Sequence, residues 1–176
     1  MNRGRIETVW FESAVLRGNP LGDPHVRRIP VWLPPSSDRE PTKRHPVLFA
    51  LTGFGSRGRG LLNDHPWSPS LDDRLDALAA AGAPECIVVM PDAFTRLGGA
   101  QYMDSTATGR YETHLIEELV PWVDAHFRTL PSSAHRAVAG RSRLMDVHEG
   151  QPPAIGPEAP QQVPGLVERI EAATAH

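Results

Sequence analysis

The sequence predicts an α/β fold built on a largely parallel sheet. Short apolar runs with strand character, each stopped by proline or glycine, alternate along the chain with longer stretches whose apolar residues recur at helical spacing. Such an alternation lays its strands side by side through right-handed crossovers. It extends as far as Ser142 and is lost beyond it.

The elements follow in order. Residues 26–33 alternate imperfectly and end at Pro34-Pro35, and residues 47–51 form a continuous apolar run closed by Gly53-Phe54-Gly55. Both read as strands. Ser70, with Asp73 three residues on, has the pattern of a capping box; Leu71, Leu75 and Leu78 supply an apolar face and Gly82 a stop, which predicts a helix. Residues 86–90 predict a buried strand halted by Pro91-Asp92, followed by a loop rich in Gly and Thr. A second helix is expected over 111–127, with Leu115, Ile116, Leu119, Val120, Val123 and Phe127 on one side and a kink at Pro121, which removes a backbone donor in mid-helix. Residues 135–140 predict the strand that leads to Arg141-Ser142.

Composition narrows the function classes. The formal net charge is −3 and Lys and Arg nowhere cluster densely enough to track a phosphate backbone, so nucleic acid is not an expected partner. No stretch of 18 apolar residues occurs and the first residues lack the apolar core of a secretory leader; no membrane partner is expected and the cytoplasm is the expected compartment. The single cysteine, Cys86, has no partner for an internal disulfide and reads as a buried strand residue. The eight histidines are scattered without a metal-binding spacing, so neither metal nor cofactor is expected. Trp32, Trp67 and Trp122 read as core or substrate-pocket aromatics, and Asp92 as the cap of the next turn.

Two parts are expected. Charges in residues 1–142 balance, so the whole net charge falls in residues 143–176, which also carry Pro152, Pro153, Pro157, Pro160 and Pro164 and few large apolar side chains. Such a segment cannot bury enough surface to offset its ordering entropy, and a mostly disordered, Pro-rich acidic tail is expected, with a short helix near 163–173 carried by Leu166, Val167 and Ile170.

Chemistry centres on Gly140-Arg141-Ser142. A sharp strand-to-helix turn of the form Gly-x-Ser-x-Gly lifts a serine oxygen above a sheet, and its crowded backbone calls for small residues. The first half is present; in the second half Leu144 stands where glycine is needed. Alone, Gly-x-Ser after a strand is a common structural pattern. The preceding segments Asn19-Pro20-Leu21-Gly22-Asp23-Pro24, Val31-Trp32-Leu33-Pro34-Pro35, Pro46 to Phe54, Met90 to Gly99, Tyr111-Glu112 with Glu118 to Asp124, Phe127 to Leu130 and Arg136 to Ser142 change that reading. Together and in this order, over roughly residues 5 to 142, they resemble the putative esterase family of α/β-hydrolases that includes S-formylglutathione hydrolases, enterochelin esterases and mycolyltransferase antigens.

The resemblance implies an α/β-hydrolase sheet, incomplete in this chain, and a small-molecule ester as substrate. It implies Ser142 as the catalytic nucleophile and an oxyanion hole made by the backbone N–H groups of Phe54 and Arg143. Thr52 stands where many hydrolases carry histidine. Past Ser142 the family's acid and histidine are not recognisable, which suggests a truncated or frameshifted reading frame. Asp146 and His148 follow in the order acid, base, but on a helix beginning at the turn they would point away from the serine oxygen. The expectation is a serine carboxylic-ester hydrolase by resemblance, inactive as this chain, with self-association through an unpaired sheet edge. The alternative is a non-catalytic remnant or an interaction module using the acidic tail.

Overall fold

The computed structural model describes residues 3–63 and 66–141. Its main sheet has five strands: β1 (Arg5–Glu12), β2 (Val26–Leu33), β3 (Val47–Thr52), β4 (Ile87–Val89) and β9 (Arg136–Arg141), in the spatial order β1-β2-β4-β3-β9. β1 and β2 form an antiparallel hairpin, β2 runs antiparallel to β4, and β4, β3 and β9 are parallel. Two short ribbons follow β4. One pairs β5 (Phe94–Thr95) with β6 (Gly98–Gly99), the other β7 (Asp104–Ser105) with β8 (Gly109–Arg110).

The period of two along each strand divides the core between the two faces of the sheet. Val47, Phe49 and Leu51 of β3 and Ile87 and Val89 of β4 face a cluster completed by Leu115, Ile116, Leu119, Val120 and Val123. Val88, Met90, Ala50 and Trp32 face the other way, against Leu71, Leu75 and Ala79 of helix α2 (Leu71–Ala80). A helix on each face makes a three-layer α/β unit, as the alternation of elements predicts. A short helix α1 (Ser36–Arg39) sits between β2 and β3.

Several details differ from the sequence reading. β1 was not anticipated; it is a hairpin edge whose charged and polar positions mask its alternation. The Ser70 hydroxyl bonds the carboxylates of Asp72 and Asp73 instead of a helical N–H, and Leu78 is 55% exposed, so the apolar face of α2 is Leu71, Leu75 and Ala79. Cys86 precedes β4 and is only partly buried, although burial still pushes its thiol above the ordinary range. Trp67 is 89% exposed, whereas Trp32 is buried and Trp122 packs edge-on against Phe11. His135 lies in a 3-10 turn ahead of β9. β9 stands at the end of the sheet order among the described residues, beside the parallel strand β3.

The helix over 111–127 is real but composite. It consists of α3 (Tyr111–Thr113), a π-helical segment His114–Leu119, and α4 (Val120–His126). Pro121 falls in the first turn of α4.

Candidate active site

The parallel strands β3, β4 and β9 share an end at which chain reversals expose backbone donors, the position where open α/β sheets carry their sites. β3 closes at Thr52, which pairs in register with Arg141, the last described residue of β9. The next five residues form a braced turn. The Thr52 hydroxyl donates to the Ser56 carbonyl (3.2 Å), the Ser56 amide donates to the Gly53 carbonyl (3.1 Å), and Gly58 rests on the end of β4 so closely that a Cβ there would lie 2.1 Å from the Met90 oxygen.

Phe54 sits at the tip of this turn. Its carbonyl accepts the Gly99 amide (2.7 Å) and its ring covers Gly98, whose φ of +114° and lack of a Cβ permit the contact. The ring is half exposed. The Phe54 amide donates to no described acceptor. A rigidly held, unengaged N–H beside the end of a parallel strand is the property that an oxyanion donor needs.

Tyr102 was not foreseen. Gln101 and Tyr102 have φ of 57° and 52°, a left-handed pair that costs free energy outside glycine and is concentrated at functional sites. The conformation carries the buried Tyr102 hydroxyl under β3, where it accepts the Thr52 amide (3.0 Å). Burial pushes this phenol above its ordinary pKa, against the Thr52 hydrogen bonds, so it stays neutral. No local pattern in the sequence announces such a contact between residues fifty apart. Asp92 accepts the Phe94 amide (3.0 Å) and thus caps its turn, as read from the sequence.

The described histidines lie in other roles. His45 leads into β3 and His135 into β9, at the far end of those strands from Thr52 and Arg141, while His126 stacks on Trp122 (4.0 Å). His114 is buried beside Glu118 (3.2 Å), and His25 lies 3.6 Å from Glu12. No group of three potential metal ligands occurs among the described residues, and no described helix is long and apolar enough to cross a membrane. Ser142 and Arg143, with Leu144, Asp146, His148 and the segment 143–176, lie outside the described residues. Of the residues predicted for the site, Phe54 is the one that lies among the described residues.

Solved structures share this architecture. A ferulic acid esterase is 28% identical with a TM-score of 0.65, over 80% of this chain and 50% of its own. A CE1 ferulic acid esterase from Anaeromyces mucronatus is 21% identical with a TM-score of 0.58, over 80% and 49%. An S-formylglutathione hydrolase from Agrobacterium tumefaciens is 17% identical with a TM-score of 0.57, over 81% and 50%. The chain spans about half the length of these proteins. No curated protein matches the sequence. The family described as putative esterase matches residues 24–143, which includes every strand from β2 to β9 and the turn at Phe54. The fold is that of an α/β-hydrolase, and the chain belongs to the putative esterase family.

Proposed function

We propose that the chain carries carboxylic-ester hydrolase chemistry, with Ser142 as nucleophile and the amides of Phe54 and Arg143 as oxyanion donors. The observation that carries the reading is the Phe54 turn: its amide is unengaged, its backbone is pinned by Gly99, and β3, from which it springs, is paired in register with the strand that leads to Ser142. An ester carbonyl attacked by the serine oxygen becomes a tetrahedral oxyanion, and donors already aimed at that charge need no reorganisation as it forms. Family membership and the ferulic acid esterase neighbour support a small-molecule ester as substrate.

In this reading residues 1–142 belong to the esterase domain and residues 143–176 form a Pro-rich acidic tail. The serine hydroxyl is a weak nucleophile until a base accepts its proton, and His45, His114, His126 and His135 are held elsewhere. Slow turnover by the 176-residue chain is the result. The test compares p-nitrophenyl acetate hydrolysis by the purified chain and by its Ser142→Ala variant. The expected outcome is a serine-dependent rate well below about 1 per second, the lower edge of ordinary enzyme turnover. A rate unchanged in the variant would remove Ser142 from the chemistry, and a serine-dependent rate of about 1 per second or more would show that a base does reach it.

A further inference from the structure

We propose that a cleft beside the Phe54 turn is an anion site, which takes a carboxylate carried by the substrate. The proposal rests on the ester-hydrolase reading of the neighbouring turn and names the substrate class as acidic esters.

Topology puts the cleft where a substrate would lie. β2 runs antiparallel to β4, so its first residues stand at the same end of the sheet as the last residues of β3 and β4. There Val26, Arg27 and Arg28 meet the loop after β3 and the turn after β4, enclosing a cavity of about 340 Å³. The Phe54 ring covers Gly98 of the hairpin that forms one wall, and the Arg57 guanidinium lies 4.7 Å from the centre of the Phe94 ring in that hairpin. Cavity and Phe54 turn therefore share a structural element.

The lining is strongly cationic. Arg27, Arg28, Arg57, Arg59 and Arg96 face it, against two carboxylates, Asp23 and Asp92. Both carboxylates accept a backbone amide, although the second oxygen of Asp23, Oδ2, is buried without a partner among the described residues. Asp23 accepts the Arg96 amide (3.1 Å) and lies 3.7 Å from the Arg96 guanidinium, and Asp92 accepts the Phe94 amide. Arg28 and Arg57 lie over the rings of Trp10 and Phe94, and among the described residues neither they nor Arg59 is in an ion pair.

Arg27 supplies the second observation. It is 4% exposed, yet its guanidinium donates only to neutral oxygens, the Phe94 carbonyl (2.7 Å) and the Tyr111 hydroxyl, and its Nε has no partner among the described residues. A buried cation without a bound carboxylate is costly. An anion seated in the cleft would compensate it, and the planar donors of Arg57 and Arg59 at the rim suit a carboxylate. Trp10 and Phe94 give the apolar part of such a ligand a surface to lie on.

The test is a binding titration on the full chain, followed by amide chemical shifts, with succinate, its neutral dimethyl ester and inorganic phosphate as probes. Succinate is expected to bind, to shift amides of residues 23–28, 57–59 and 92–96, and to weaken as salt is raised; dimethyl succinate is expected to leave them unmoved. In the Arg57→Ala/Arg59→Ala variant succinate affinity is expected to fall about ten-fold or more, with the fold confirmed by an unchanged spectrum elsewhere. Arg74→Ala/Arg110→Ala, which removes the same charge from exposed positions outside the cleft, is expected to keep it. Equal binding of succinate and its neutral ester, equal loss in both variants, or tighter binding of phosphate than of succinate would each overturn the proposal. Binding needs no turnover. Charge-selective binding by a chain whose ester hydrolysis is unchanged in Ser142→Ala leaves the anion site standing while the hydrolase reading falls; serine-dependent hydrolysis without charge-selective binding does the reverse.

Discussion

The Glu118 carboxylate ties the loop after β1 to the helix: it accepts the Ser13 hydroxyl and the Val15 amide (2.9 Å) from that loop, and it lies 3.2 Å from Nδ1 of His114 one turn back on its own helix. Burial raises the Glu118 carboxyl, but the bonds from Ser13, Val15 and His114 outweigh it and hold the pKa below the ordinary value. His114 is lowered by burial, against the pull of Glu118. The pair is therefore neutral imidazole beside carboxylate at neutral pH. Both shifts work in the same sense. An unfolded chain takes up the histidine proton below about pH 6.5 while the folded one resists, so stability begins to fall there. The Glu118 contribution is complete above its unfolded value near pH 4.3 and is lost as pH falls through the lower folded value. Replacing Glu118 by Ala should cost about 2–3 kcal/mol, read from urea unfolding, since it leaves buried donors unsatisfied. In His114→Gln the loss of stability between about pH 7 and pH 5 should be shallower than in the parent chain; an identical slope would show that another group titrates there.

Among the elements, the composite helix 111–126 shows how a sequence rule can hold while its consequence changes. A proline in a regular helix interior removes a donor and clashes with the carbonyl four residues before it, at about 3 kcal/mol. Here the π-helical segment His114–Leu119 widens the ladder immediately ahead of Pro121, which then occupies the first turn of α4. Pro121→Ala should consequently change stability by less than about 1 kcal/mol, measured as the urea midpoint; a gain near the full interior penalty would mean that the proline is strained in place. The strands β3 and β4 were legible because each is a short apolar run with a Pro or Gly stop, with buried residues facing both core clusters, and β2 and β9 through their apolar residues and the Pro-Pro and Gly that close them. β1 was not, since an edge strand with Arg5, Glu7 and Glu12 exposed lacks that signature. The two ribbons after β4 are pairs of two residues each, too short for any periodicity to develop. Phe54 was legible through its flanking glycines. Tyr102 and the arginine cleft were not, because they are assembled from segments that only the fold brings together.

For the whole molecule, the layering sets a gradient of local stability. β3 and β4 have neighbours on both sides and helices over both faces, whereas β1 pairs only with β2 among the described residues and leaves Trp10 69% exposed. Segments with few buried contacts open at lower free energy than the core. Hydrogen exchange should be slowest at the amides of residues 47–51 and 87–89 and faster along 5–12, despite the eight-residue register of the β1–β2 hairpin. Equal protection of both regions would show that the unit opens only as one body.

The position of β3 between β4 and β9 also constrains the order in which a nascent chain can acquire its structure. Phe49 pairs with Val89 on one side and with Val138 on the other, so the strand at the middle of the parallel set waits for residues separated from it by most of the described sequence. Such non-local pairings are slow, because the intervening loop must close before any contact offsets its entropy. During synthesis the β1–β2 hairpin is complete long before β9 has been made. Until β9 arrives, the apolar strand β3 has one edge open, and that interval is when the growing polypeptide is most exposed to mispairing with another chain.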